Sequence, residues 1–407
     1  MRPWSCLVCA VLVSCEPPAV KSEREETCPN GHVDESVAPA PAERGLVAHE
    51  WGTFTSVAGA DGVQLHWRPL GGPSELPEFV YRSDRPGPGQ RPGGKGLLGG
   101  TVRMETPVIY FYAGRPTEVR LSVRFERGGL TEWFPHAQEV DYGHIDWGRF
   151  TVEPASASNL ARMPEASARG HYFAARDTDA AVVRVPTPAG EQHEKFLFYR
   201  GVGVFDLPLV VGLAGADVSL RPRTDAGPRT ALVIERRGAR LGLAEVALAD
   251  AAVTVPRPAL DDDVAAARAW LAAALERDGL YPREASAMLA TWEDQWFEDG
   301  LRVFYLLPRR DIDALLPLAI EPTPVELRRT IVARAELVTP ELEAAVRAEA
   351  LAPGRDVEAV CRVLRARHGR FAEAVLQRLR ADADARTAAR LDAVLARVAE
   401  PRPCPEV

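Results

Sequence analysis

Lysine is nearly missing from this chain: of the 49 basic residues in 407, it occurs only at Lys21, Lys95 and Lys195. Arginine stands in its place among abundant alanine, proline and glycine, the pattern of a GC-rich coding sequence. The arginine content is therefore not by itself a sign of guanidinium chemistry. Positive charge is also not in excess, since the formal net charge is −8. Neutralising a phosphate backbone takes a clustered surplus of Lys and Arg, so a nucleic-acid partner is excluded as an expectation. No Gly-x-Ser-x-Gly elbow is present, and no cysteine is placed for nucleophilic catalysis. No stretch reaches the roughly 18 apolar residues that a membrane-spanning helix needs.

With 46% hydrophobic and 26% charged residues the balance is that of an ordinary globular protein, long enough for two or three domains. The first fifteen residues, MRPWSCLVCAVLVSC, carry one charge at Arg2 and then a short apolar run, the form of an export signal. Leu12-Val13-Ser14-Cys15 resembles the lipobox of bacterial lipoproteins at all four positions. The resemblance implies a signal peptide over 1–14 and a lipid-anchored Cys15, with membrane attachment through that lipid. Glu16 after the cysteine points to the outer membrane under the usual sorting rule. Residues 15–45, rich in Pro, Glu and Ala without apolar periodicity, read as a disordered tether. Of the remaining cysteines, Cys28 and Cys404 lie in polar tails and could pair as a disulfide, whereas Cys361 sits on an apolar helical stripe and reads as a buried thiol.

Periodicity divides the rest. From Leu46 to Pro256 the period is two, clearest in TEVRLSVRFERG (117–128), where Val119, Leu121, Val123 and Phe125 share one face. TPVIYFY (106–112) is apolar on both faces and reads as an inner strand, joined to 117–128 as a hairpin. After Pro256 helical spacing takes over: Val264, Ala267, Leu271 and Leu275, then Met288, Trp292 and Trp296, interrupted by strands near 302–308 and 330–337. The expected fold is α+β. It consists of a β-sandwich or jelly-roll-like domain over 46–256, a mixed α/β subdomain over 257–337, a helical region over 338–400 and a tail over 401–407.

Several short motifs suggest chemistry. His49-Glu50-Trp51-Gly-Thr-Phe-Thr begins as zinc-protease helices do, but the second histidine position holds Thr53 and the residues favour a strand. On a strand His49 and Trp51 point one way and Glu50 the other. His49, Glu50 and Trp51, with Glu105 and Arg200, are candidate catalytic or binding residues, as is the Glu132 and His136 pair. GPGQRPGGKG (87–96) nearly spells a phosphate loop but has Gly96 where a hydroxyl should hold Mg²⁺, and it reads as a surface loop. His144 and Asp146 share a strand face. With His193 or His171 they could form the two-His-one-carboxylate set of a divalent metal site, resembling non-haem iron oxygenases over three or four residues.

The strings HEWGTFTSV, METPVIYFY, LTEWFP, KFLFYRGVG and the segment ending EDQWFEDGLRVFYLLPR resemble a family of uncharacterised exported bacterial proteins, over most of residues 47–337. That resemblance implies no activity. The sequence thus supports a lipid-anchored envelope protein acting as a binding or structural module for an envelope protein or a glycan. The alternative is an exported metal-dependent enzyme, a hydrolase or non-haem-iron-like oxygenase, with its site on the β-domain.

Overall fold

The apolar positions of TEVRLSVR become the buried face of a strand: Val119, Leu121 and Val123 are buried while Arg120 and Arg124 reach solvent. The structure, a computed structural model, describes residues 45–67, 76–84, 99–166, 171–224 and 227–398. The signal segment, the tether, the 87–96 loop, the 401–407 tail and the proposed roles of Cys15, Cys28 and Cys404 lie outside the described residues. The strands are β1 (Val47–Gly59), β2 (Tyr81–Arg82), β3 (Val102–Tyr112), β4 (Thr117–Arg124), β5 (Gly128–Phe134), β6 (Glu139–Val140), β7 (His144–Glu153), β8 (Val182–Thr187) and β9 (Gly190–Glu194). They continue as β10 (Phe196–Gly203), β11 (Leu209–Ala214), β12 (Asp217–Pro222), β13 (Thr230–Arg237), β14 (Arg240–Ala247), β15 (Val253–Val255), β16 (Gly300–Leu306), β17 (Leu318–Glu321) and β18 (Glu326–Val338). The helices are α1 (Ala157–Leu160), α2 (Val264–Arg277), α3 (Pro282–Trp296), α4 (Arg309–Leu315), α5 (Pro340–Ala350), α6 (Val357–His368), α7 (Ala372–Ala381) and α8 (Ala385–Val398).

Large sheets fill the N-terminal and central parts, and helices gather in the C-terminal part, as the periodicity implied. A nine-stranded mixed sheet runs β14-β13-β16-β18-β1-β3-β10-β5-β2. A second sheet, β17-β4-β7-β8-β9, carries β6 beside β7, and β11-β12-β15 forms a third. The hairpin expected between 106–112 and 117–128 does not form: β3 pairs with β1 and β10 in the nine-stranded sheet, while β4 pairs with β7 and β17 in the second. The Ala113–Pro116 link instead carries the chain from one sheet to the other. The physical reason is burial. β3 is covered on both faces and takes a central place, whereas the polar face of β4 needs solvent.

The nine-stranded sheet draws strands from both sides of residue 256, because β13, β16 and β18 extend it beyond β1. β1 lies parallel to β18 along its full length, from Val47 opposite Glu326 to Gly59 opposite Val338. Alternation along β1 decides what covers each face. Ala48, Phe54 and Ala58 enter a core shared with Val119, Leu121 and Val123 of the second sheet. Val47 and Trp51 face α2 and α3 in a core with Leu271, Met288 and Trp292, and Val57 faces the C-terminal helices with Val346, Leu376 and Leu391. Smaller sheets therefore lie on one side of the large sheet and two groups of helices on the other.

Local chemistry starts these helices where the sequence places them. The Asp263 carboxylate accepts from the Ala266 N–H at 2.8 Å, Thr339 from Leu342 at 3.2 Å with Pro340 at the first helical position, and Asp356 from Ala359 at 2.7 Å. Trp292 and Trp296 are fully buried, and Cys361 is a buried free thiol. Among the described residues no helix is long and apolar enough to cross a membrane.

Candidate functional site

His49-Glu50-Trp51 lies in the middle of the large sheet, wholly buried. It forms a strand, and its side chains alternate as expected. His49 points toward the helices, where its Nδ1 lies 2.8 Å from Glu284 Oε2. Glu284 is the third residue of α3. It also accepts from the Tyr281 N–H at 2.8 Å and from the Tyr112 hydroxyl at 2.7 Å. One carboxylate thus completes the helix start and fastens the helix to β1 and β3. The Tyr281 and Tyr112 rings close over the imidazole, with centroids 4.5 and 5.5 Å away.

Glu50 points the other way, into the space between sheets. It accepts from the Tyr199 hydroxyl at 2.5 Å and from Arg329 Nε at 2.5 Å, and Arg329 Nη1 continues to Asp313 at 2.8 Å. Burial and the adjacent Glu50 push the Tyr199 phenol well above its ordinary value, so it stays a proton donor.

Glu105 and Arg200 share a third place. Glu105 accepts from the Thr55 hydroxyl at 2.5 Å and lies 3.3 Å from Arg103 Nε. Arg200 rests with its guanidinium carbon 5.5 Å from the Phe198 ring centroid and sits opposite Glu132 across β10 and β5. By register Glu105 is level with Thr53, four residues along β1 from His49, a separation of about 13 Å. The five candidates therefore do not converge on one cleft. All of them are buried.

Irregular backbone marks this level of the sheet. Pairing slips between Trp51 and Thr53 on β1 and between Phe198 and Gly201 on β10, and Thr106 between them holds φ +42°. Gly52 fits because a Cβ there would stand 3.0 Å from Pro107 Cα and 3.2 Å from Ile331 Cδ1. The glycine of HEWGTFT is a packing requirement.

The metal candidates are also separated. His144 and Asp146 lie on β7, but the β7–β8–β9 ladder aligns His193 with Arg184 and Thr151, five residues and about 16 Å beyond Asp146. His171 is elsewhere, stacked on Trp292. Among the described residues no group of three His, Cys, Asp or Glu side chains could hold a metal ion. Asp146 is occupied: it accepts from Arg120 Nη2 and from the Gly148 N–H, each at 2.7 Å. Burial pushes its carboxyl up, but the Arg120 and Gly148 hydrogen bonds and the Arg120 charge outweigh that and hold it below the ordinary range. The same balance holds Glu235 low, where Arg257 and Arg237 overcome burial. His193 is held low by burial and then by Arg162.

These shifts fix the sign of a pH dependence. A group whose folded pKa is depressed contributes stability above its unfolded value and loses it as pH falls through the folded one. The denaturation midpoint should decline first below about pH 6.5, as His193 protonates, and again below about pH 4, as Asp146 and Glu235 do. Asp146→Asn and Glu235→Gln should each flatten the acid branch in urea titrations between pH 7 and 3.

Sequence reasoning passed over Glu284, Arg329 and a third buried cluster. Arg302 and Arg334, both fully buried, share Glu336 Oε1 at 2.7 and 2.5 Å. Alternation was the available signal, because Arg334 and Glu336 stand two apart in the otherwise apolar second half of the strand, residues 331–338.

An open cleft lies elsewhere, at the strand ends around His144. Its volume is about 450 Å³. The turns that link β4 to β5 and β6 to β7 form its walls, with the end of β10, and Arg124, Arg127, Tyr142 and His144 are among its lining residues. No side chain of these four takes part in an ion pair or side-chain hydrogen bond among the described residues. Comparison of the chain with protein-family models and with curated proteins finds no match.

Proposed function

We propose that the chain is a lipid-anchored binding module of the cell envelope, held through Cys15 at the outer membrane, whose β-sandwich-like body presents the cleft around His144 to its ligand. The observation that carries this reading is the division of polar groups. The motif residues His49, Glu50 and Glu105 are closed in, and each is hydrogen-bonded to a partner within the fold, His49 through Nδ1 alone. Among the described residues the cleft side chains Arg124, Arg127 and His144 make no side-chain hydrogen bond or ion pair, and they stand at a concave surface. Buried polar groups paired within the fold build a scaffold, whereas polar groups that line an open cleft are suited to recognition. The envelope location rests on the Leu12–Cys15 resemblance to the lipobox.

Two measurements test the two halves of the proposal. Cys15→Ser should move the protein from the membrane fraction to the soluble periplasmic fraction, and mass spectrometry of the native N-terminus should show acylated Cys15. A photo-crosslinking residue at Arg127 should capture an envelope component in intact cells, with far less capture from a control position at the exposed Asp384. Equal capture from both positions would remove the cleft as the binding site.

A further inference from the structure

Singly exposed apolar side chains are ordinary, but two in one cleft are less so. Among the described residues four large apolar side chains are exposed: Val63, Tyr142, Val204 and Val325. Two of the four, Tyr142 at 66% and Val204 at 58% exposure, line the cleft. Tyr142 is also braced. A Cβ on Gly129 would lie 2.5 Å from Tyr142 Cε2 and 2.8 Å from Cζ, so the ring packs against backbone that only glycine leaves bare. The Tyr142 carbonyl accepts from the Leu130 N–H at 2.7 Å, which fixes the residue's position over β5. The result is an aromatic platform resting on the protein and open to solvent.

Planar polar groups surround it. Arg124 lies opposite His144 across β4 and β7, and Arg127, Glu126 and Asp141 complete the wall. Both signs of charge are present, so the cleft is not a simple anion trap. Nor is it suited to an extended peptide, which binds by adding a strand and needs unpaired backbone groups. Here the backbone is used internally: Phe125 N–H donates to Gly143, Leu130 to Tyr142, Asp141 to His144, Val204 to Arg127, and Glu126 to Leu315. Among the described residues what is left over is the exposed Tyr142 ring and the side chains of Arg124, Arg127 and His144.

We infer that this cleft binds a saccharide, a sugar ring lying with its C–H face on Tyr142 while Arg124, Arg127 and His144 hydrogen-bond its hydroxyl or carboxylate oxygens. The inference rests on the binding-module reading and names its ligand class. A sugar matches both halves of the surface, since one face of its ring is apolar and its rim is polar. An aromatic ring takes the first, and planar guanidinium, imidazole and carboxylate groups take the second in paired hydrogen bonds. A site of this open, wet kind can use bridging water and gains from repetition along a polymer.

The test uses the full-length acylated chain in detergent micelles against a printed array of bacterial surface polysaccharides and muropeptides, followed by calorimetry with the oligosaccharide best retained. Wild type should bind at least one saccharide. Tyr142→Ala should weaken that binding about tenfold or more, and Gly129→Ala should weaken it while keeping the tyrosine, because the added methyl displaces the ring. An unchanged urea midpoint for Tyr142→Ala would show that the loss is local. Arg124→Ala should distinguish ligands by charge, costing more for a uronic acid polymer than for a neutral one. Failure of every saccharide to bind, or binding indifferent to both Tyr142→Ala and Gly129→Ala, overturns the inference. A protein crosslinked from Arg127 in the presence of that failure would leave the binding-module reading standing with a different ligand.

Discussion

Glu336→Gln should cost about 3–5 kcal/mol of folding stability, among the largest effects of any single substitution in this chain. The carboxylate stands between two arginines that water does not reach. Arg302 Nε and Arg334 Nε both donate to Glu336 Oε1. Burial opposes ionisation of Glu336, but the two guanidiniums outweigh it and hold the carboxyl below its ordinary range. An amide of the same shape leaves those cations in a low-dielectric interior without the charge that offsets them. Arg302 keeps the carbonyls of Trp296 and Asp299, at 3.0 Å each, and Arg334 keeps Glu298 at 2.7 Å. The two carbonyls give Arg302 hydrogen bonds but little of the lost Coulombic attraction, and the Glu298 carboxylate, 37% exposed, leaves Arg334 only a solvent-screened ion pair. Urea denaturation at pH 7 should show the midpoint falling with the slope unchanged, the mark of lost stability without a changed denatured state. The surface pair Arg380–Asp392, half exposed on both sides, supplies the contrast, since Asp392→Asn there should change stability by under about 1 kcal/mol.

The extent to which such groups are visible in sequence depends on the range of the physics that places them. Periodicity is local, so the strand that begins at Thr117, the strands near 302–308 and 330–337, and the helices that carry Val264 to Leu275 and Met288 to Trp296 were legible from their own residues. The opposite directions of His49 and Glu50 followed from the two-residue repeat alone. Pairing is not local. Nothing near Ala113 says that β3 and β4 belong to different sheets, and nothing near Val47 says that its parallel neighbour begins at Glu326. For the same reason the chain could offer Glu105 and Arg200 as companions for His49 but not the true one, Glu284, which lies 235 positions away. Glu284 could at least have been singled out by its place three residues after Tyr281 at a helix start. The cleft left less trace, because it is built from turns, and Tyr142 became notable only once its exposure was known.

Arg329→Met tests whether HEWGTFT is scaffold in the strict sense. Glu50 is fully buried, and its charge is balanced by one cation, whose Nε lies 2.5 Å away. Removing that cation while keeping an apolar chain of similar length should cost about 3–5 kcal/mol, since the carboxylate would be left with the neutral Tyr199 hydroxyl. Glu50→Gln alone should cost less. In that variant Arg329 still reaches Asp313, which is half exposed and lets the guanidinium share in solvent screening. The double variant should recover much of the Arg329→Met loss, because a buried pair replaced on both sides leaves no uncompensated charge. Chemical denaturation of the four proteins closes the cycle, and a coupling of 1 kcal/mol or more is expected between residues in direct contact. If Arg329→Met were tolerated within about 1 kcal/mol, Glu50 would not be relying on its partner for burial, and the scaffold reading of the motif would fall. The short contacts from Tyr199 and Arg329 favour the other outcome, in which each carboxylate oxygen of the glutamate holds a bond that joins β1 to β10 or to β18.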